Sequence, residues 1–259
     1  MYIYSLEPVK MKFYFTVILL GSFSSYGQTI TFREIKLTPN SRYYKTKEKT
    51  IIYPIVVTNN KKVDSLINFQ IKNDVFRPDD EKQSIYKTLD ENIKEYGLSN
   101  LSYEVTYKGN GLLSFSIFSE GCGAYCSSRR TYFNFDLKTG KKLSITDLIV
   151  ENKLDSFYKI VFADKVKYLR EYKEEELNMF KQGEVDSTTY DWALEQVDSN
   201  CIKDVRLEDF SFSTLNLEIN DTCEFPHAIR SQQPTYELKY TYAFLSAFLT
   251  PRFKKILLK

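Results

Sequence analysis

Any nucleophilic or general-base chemistry in this chain has one imidazole to work with, because His227 is its single histidine. Ser-His-Asp and Cys-His arrangements both need that ring beside the nucleophile. His227 follows Cys223 in a Phe225-Pro226-His227 turn, the setting of an ordinary surface loop. The chain holds no Gly-x-Ser-x-Gly elbow, no phosphate-cradling glycine loop and no paired histidines at metal-binding spacing. Glycoside hydrolysis would need two carboxylates flanking the scissile bond. Glu120, Asp136 and Asp147 are the acids that folding would have to gather for it. Local roles explain two of them more simply: Asp136 precedes the Thr139-Gly140 turn, and Asp147 can cap the helix that follows. The run Glu174, Glu175, Glu176 reads as the solvated continuation of a helix, since consecutive helical residues do not share a face. No catalytic residue, cofactor or metal site is therefore assigned, and a non-enzymatic role is expected.

Cys122, Cys126, Cys201 and Cys223 are even in number, which in an exported chain points to disulfides. Cys122 and Cys126 are close enough for a tight loop, and Cys201 and Cys223 could tie a helix end to the end of a later strand. Three pairings exist in principle. A four-thiolate zinc site would place ligands at short spacing twice, and the Cys201 to Cys223 interval breaks that pattern. The segment from Glu120 to Arg130 is the candidate binding surface. A small disulfide would stiffen it, glycines would let it approach a partner, and Tyr125, Arg129 and Arg130 are residue types enriched at interface hot spots.

Export is read from the N-terminus. Lys10 and Lys12 precede an apolar run from Phe13 to Leu20, and Ser25 and Gly27 sit where signal peptidase reads small residues. Residues 1–27 are thus expected to be a signal peptide cut before Gln28, with Met11 an alternative start. The apolar run is roughly half the ~20 residues a membrane span needs. No cysteine lies near the cleavage point to carry a lipid. The expected address is periplasmic or extracellular. Lys+Arg 36 against Asp+Glu 34 leaves no broad field for nucleic acid or an anionic membrane. Partners must be chosen by local surface. Tyr 20 and Phe 19 suit half-buried sheet positions.

The elements that would position these residues alternate in period. Thr29–Leu37 and Lys49–Thr58 read as strands, the second at an edge or starting near Pro54, which cannot donate to a ladder. Val63, Leu66, Ile67, Ile71 and Val75, then Ile85, Leu89, Ile93 and Tyr96, fall at helical spacing, with Gly97 ending the second helix. Leu101–Tyr107, Leu112–Phe118 and Thr131–Leu137 form an antiparallel meander turned at Gly109–Gly111 and Gly121–Gly123. A long charged helix begins near Leu154, and Ser187 caps another that ends near Cys201. Phe210–Ile219 and Tyr236–Tyr242 alternate as strands, and Thr250-Pro251 starts a last helix. The class is α+β, antiparallel sheet with packed helices, in two closely associated lobes: 28–99 and 100–259.

From Glu120 the chain runs Gly121, Cys122, Gly123, Ala124, Tyr125, Cys126, then Tyr132 to Lys138, a Thr139-Gly140-Lys141 turn and a Leu143-x-x-x-Asp147-Leu148 segment. This pattern resembles the extracytoplasmic domain of the lysozyme-sensing anti-sigma factor RsiV, a type that also accompanies some peptidoglycan deacetylases. Tyr53-Pro54, Leu113-Ser114 and the ending from Tyr240 to Leu258 extend the resemblance. The family's loop usually has a histidine after Gly-Ala, where this chain has Tyr125. The resemblance implies a binding module of the cell envelope whose partner is a muramidase such as lysozyme or a cell-wall glycan. An envelope polysaccharide hydrolase and a structural envelope protein are the alternatives.

Overall fold

Alternating residues pair Thr31–Leu37 (β1) antiparallel with Ile51–Val57 (β2), with Glu34 opposite Pro54. The computed structural model describes residues 30–40 and 50–258; the expected signal peptide lies outside them. Lys61–Phe76 (α1) begins at Asn60, whose side chain accepts from the Lys62 and Val63 amides. Asn68 on α1 does backbone-like work. Its amide nitrogen donates to the Val56 carbonyl and its oxygen accepts the Val56 N–H, both at 2.8 Å. Even-numbered backbone groups of β2 therefore point away from β1. On that side β2 meets Leu98–Gly109 (β3) only at Ile51 opposite Leu101, in parallel. Pro54 is internal in the strand order β1-β2-β3-β4-β5-β6. Its missing donor faces the side where the ladder has opened, which is how a proline fits there.

Asn110 and Gly111, at φ of 51° and 78°, form the two-residue turn from β3 into Leu112–Cys122 (β4). β4 pairs with Cys126–Asp136 (β5) from Leu112 opposite Asp136 to Cys122 opposite Cys126. The expected Glu120 to Arg130 loop is thus mostly strand, and the chain reverses over Gly123, Ala124 and Tyr125 alone. Two cysteines facing each other in register hold the hairpin closed to its tip. Lys141–Lys142 (β6) pairs only with Phe135 and Asp136, so among the described residues β5 has an open edge from Cys126 through Tyr132. Ile85–Lys94 (α2) joins α1 over one face of this sheet. There Phe115 stacks on Phe133 at 5.1 Å, and Val63, Ile67, Ile71 and Leu89 complete a core of residues between Ile30 and Leu137.

The opposite face carries buried Ser114, Ser116 and Asn134. These polar groups receive a second sheet: Phe210–Phe212 (β7), Asn216–Ile219 (β8) and Leu238–Thr241 (β9). Ser114 Oγ accepts the Phe212 N–H at 3.0 Å, and Asn134 donates to the Phe210 carbonyl at 2.6 Å. Each of these side chains makes a hydrogen bond, Ser116 with Arg130, which offsets the cost of burial; Asn134 Oδ1 alone among them has no partner among the described residues. Leu154–Lys181 (α4), labelled after the short Ile145–Leu148 (α3), packs Phe157 and Val161 over this sheet. Ser187–Gln196 (α5), Tyr242–Leu245 (α6) and Pro251–Leu257 (α7) finish the layer.

Four expectations change in detail. Phe210–Ile219 is two strands, because the Ser213 hydroxyl and amide both bond Asn216 and close a turn between them. The cap of α5 is Asp186, which accepts from Thr189, one residue before Ser187. Asp147 does not cap the following helix; it sits inside α3 and bonds back to Ser144 in a capping box. Glu176 is buried, not solvated, because it falls one helical turn after Tyr172 on the packed side of α4. Asn100 lies within β3, and the second core draws on Leu112 and on residues from Leu143 onward.

Gly140 closes the turn after β5 at φ 74°, and a Cβ there would lie 3.2 Å from Leu66 Cβ and 3.3 Å from the Val63 carbonyl. Gly140→Ala is expected to cost more than about 1 kcal/mol, since left-handed strain and crowding add. Urea denaturation of the variant reads this directly; an unchanged midpoint would contradict it.

Candidate functional site

Beyond Asn134 the open edge of β5 forms one wall of a cleft of about 500 Å³. Ser127, Ser128, Arg129, Arg130 and Tyr132 supply that wall; Arg206, Asp209, Asn220, Thr222, Glu224, Arg230 and Gln233 supply the other. Four arginines face two carboxylates. Arg130 is held in place: it donates to Ser116 Oγ at 2.8 Å, meets Glu104 at 3.3 Å and lies 6.0 Å from the Phe118 ring centre. Arg206 donates to the Thr222 carbonyl and hydroxyl at 2.8 and 3.0 Å. The guanidinium groups of Arg129 and Arg230 make no hydrogen bond or ion pair with the described residues. They are the planar donors that an incoming carboxylate or phosphate would meet. Burial pushes the Asp209 carboxyl up, against the pull of Arg206 and with a further push from Glu208.

The second wall has its own supports. Asp221 joins Lys165 of α4 in a buried ion pair at 2.6 Å and accepts the Arg206 N–H at 3.0 Å. Cys201, at the end of the π-helical turn Val197–Cys201, is bonded to Cys223. The pairing left open by the sequence is therefore 122 with 126 and 201 with 223.

Of the three sequence-assigned binding residues, Arg129 and Arg130 line the cleft. Tyr125 stands at the hairpin tip, 74% exposed, its ring 5.1 Å from that of His227. The lone histidine is thus a ring neighbour of Tyr125 where the two disulfide-bearing segments meet. Glu120 does not gather with Asp136. Glu120 pairs with Ser128 and Asp136 with Leu112, eight residues apart along β4 or about 26 Å at the usual rise. Glycosidase pairs lie roughly 5–10 Å apart. Asp136 accepts from the Lys138 amide, the Thr139 hydroxyl and Arg252. Burial of Asp147 is outweighed by Lys141 and Ser144, which hold its carboxyl below the usual range. Glu120, Cys122 and Cys126 place ligand atoms within 4.8 Å of one another, but both sulfurs are spent in a disulfide and offer no thiolate.

Arg206, Asp209 and Arg230 were not legible as site residues. They reach the cleft through the packing of β7 and the Cys223 segment, and no local motif marks them.

No protein-family model matches the chain, and no curated protein matches it. Solved structures do. A DUF3298 family protein from Pseudomonas aeruginosa PAO1 superposes with TM-score 0.52 at 15% identity, over 86% of this chain and 95% of its own. A DUF3298 family member from Bacteroides fragilis NCTC 9343 gives TM-score 0.55, also at 15% identity, over 90% and 98%. At that identity the likeness establishes the α+β fold. Among the described residues no helix is long and apolar enough to cross a membrane.

Proposed function

We propose that this is an exported envelope protein that binds, without turning it over, an anionic cell-wall glycan in the arginine cleft. The observation that carries the reading is the set of four arginines, two of them with guanidinium groups unengaged by the described residues, on walls stiffened by two disulfides. Serine, threonine, asparagine and glutamine between the arginines supply the neutral hydrogen bonds that sugars need. Disulfides and the resemblance favour an address outside the cytoplasm. The muramidase partner implied by the resemblance would instead engage the exposed Tyr125 tip.

Co-sedimentation of the oxidised protein with purified peptidoglycan is the test. Arg129→Ala and Arg230→Ala are each expected to weaken binding about tenfold, the scale of a charge-assisted hydrogen bond. Salt should weaken it too. Retention unchanged by both variants would sink the cleft as the site, and isothermal titration with lysozyme would show whether a muramidase is bound instead.

A hydrolase reading is favoured by one observation: Asp209, pushed up by burial, shares the cleft with Glu224. Soluble fragments released from peptidoglycan by the protein, and lost in Asp209→Asn, would replace the binding reading with that one.

A further inference from the structure

A second groove, of about 480 Å³, runs between α4 and the segment 231–235. Its α4 side carries Tyr168, Tyr172, Glu171, Glu175, Glu176 and Met179, residues three and four apart and therefore on one helical face. The segment opposite brings no charge, only Ser231, Gln232, Gln233, Pro234 and Thr235. Glu176 is the anomaly. It is 1% exposed, and its Oε2 has no hydrogen-bond partner among the described residues. Tyr172, one turn earlier, gives its single hydroxyl proton to the Gln232 carbonyl at 2.5 Å. A tyrosine has no second proton to offer the carboxylate.

We propose that this groove is a binding site for an organic ammonium group, with Glu176 as its counter-ion and the Tyr168 and Tyr172 rings as its walls. A buried carboxylate oxygen that receives no hydrogen bond is costly to keep, and a cationic donor removes that cost. Tyr168, 41% exposed and stacked on Tyr236 at 6.2 Å, offers a π-face at the mouth. Glu171 and Glu175, both exposed, add attraction for a cation. Burial pushes the Glu176 carboxyl up and the Glu175 charge adds to the rise, so the empty groove resists ionisation that a bound cation would favour. A metal ion fits less well. Calcium and magnesium take six or more oxygens, and no trio of ligand atoms among the described residues converges here.

This site is independent of the arginine cleft, although Gln233 lines both. The test is a titration of the full oxidised chain with n-pentylamine, followed by the methyl resonance of Met179, assigned by Met179→Leu. The expected result is a saturable shift with pentylamine and none with 1-pentanol. Glu176→Gln should weaken binding at least tenfold, and Tyr168→Leu, at an exposed position, about threefold. Near-UV circular dichroism checks that each variant is folded; if Glu176→Gln is not, Tyr168→Leu decides. No saturable shift, equal response to the alcohol, binding indifferent to both variants, or displacement by calcium chloride would each overturn the proposal.

Discussion

Asp221→Ala is expected to lower stability by about 3–5 kcal/mol, the largest loss of any single substitution considered, because it strands a buried ammonium. Lys165 and Asp221 have side chains 3% and 2% exposed and meet at 2.6 Å. Asp221 also accepts the Tyr236 hydroxyl at 2.6 Å and the Arg206 amide at 3.0 Å. Without the carboxylate, Lys165 keeps only the Asp204 carbonyl, at 2.6 Å, and Tyr236 loses its acceptor. Desolvated charge without a counter-charge is the expensive state. Lys165→Met should therefore cost a similar amount, and the double variant Lys165→Met with Asp221→Leu should recover much of it, since neither charge is then buried. Urea denaturation of the three proteins measures this as a double-mutant cycle. Single variants within about 1 kcal/mol of the parent would mean that water reaches the pair. Asp221 lies between Asn220 and Thr222, both cleft residues. The recovered double variant should thus fold and yet bind peptidoglycan less well, having lost the tether on Arg206.

What the sequence conveyed depended on the range of the signal. Local periods located both helices of the first core and the meander, because Val63, Ile67 and Ile71 or Phe133 and Phe135 repeat at the spacing of the face they bury. Caps and turns were legible for the same reason: Asp136 with Thr139 and Gly140 is decided within five residues. Errors of one residue, as at Asp186 and Ser187, arose where two good caps stand side by side. Glu176 belongs to an acidic run that looks solvated in sequence, and its burial follows only from α5 and the segment after Cys223 packing on α4. The cleft was half visible. Arg129 and Arg130 belong to a conspicuous stretch, whereas Arg206 and Arg230 come from separate segments whose approach is decided by Phe210 and Phe212 docking on Ser114 and Asn134. Long-range packing of that kind leaves no periodic trace.

Removing the Cys201–Cys223 bond is the second large effect. The segments it joins share a small core of Leu169, Ala193, Val197, Cys201, Cys223, Phe225 and Ile229. So few side chains bury little apolar surface, and a covalent tie matters most where a core is small. The separation of 22 residues gives a loop-closure contribution of about 3 kcal/mol. Cys201→Ser with Cys223→Ser is therefore expected to lower Tm by about 6–12 °C in a chain of this size. The Cys122–Cys126 loop, with a separation of 4, should contribute only about 2 kcal/mol. Differential scanning calorimetry of the two double variants distinguishes them, and equal losses would contradict the loop argument. Their effects on binding should run together despite that difference. Ile229, in the small core, precedes Arg230 on one wall, and Cys126 precedes Ser127 to Arg130 on the other. Either reduction loosens one wall and adds an ordering cost to association. Loss of peptidoglycan retention in both variants, at a temperature where both remain folded, would place the disulfides in the service of the cleft; retention in both would leave them a purely structural role.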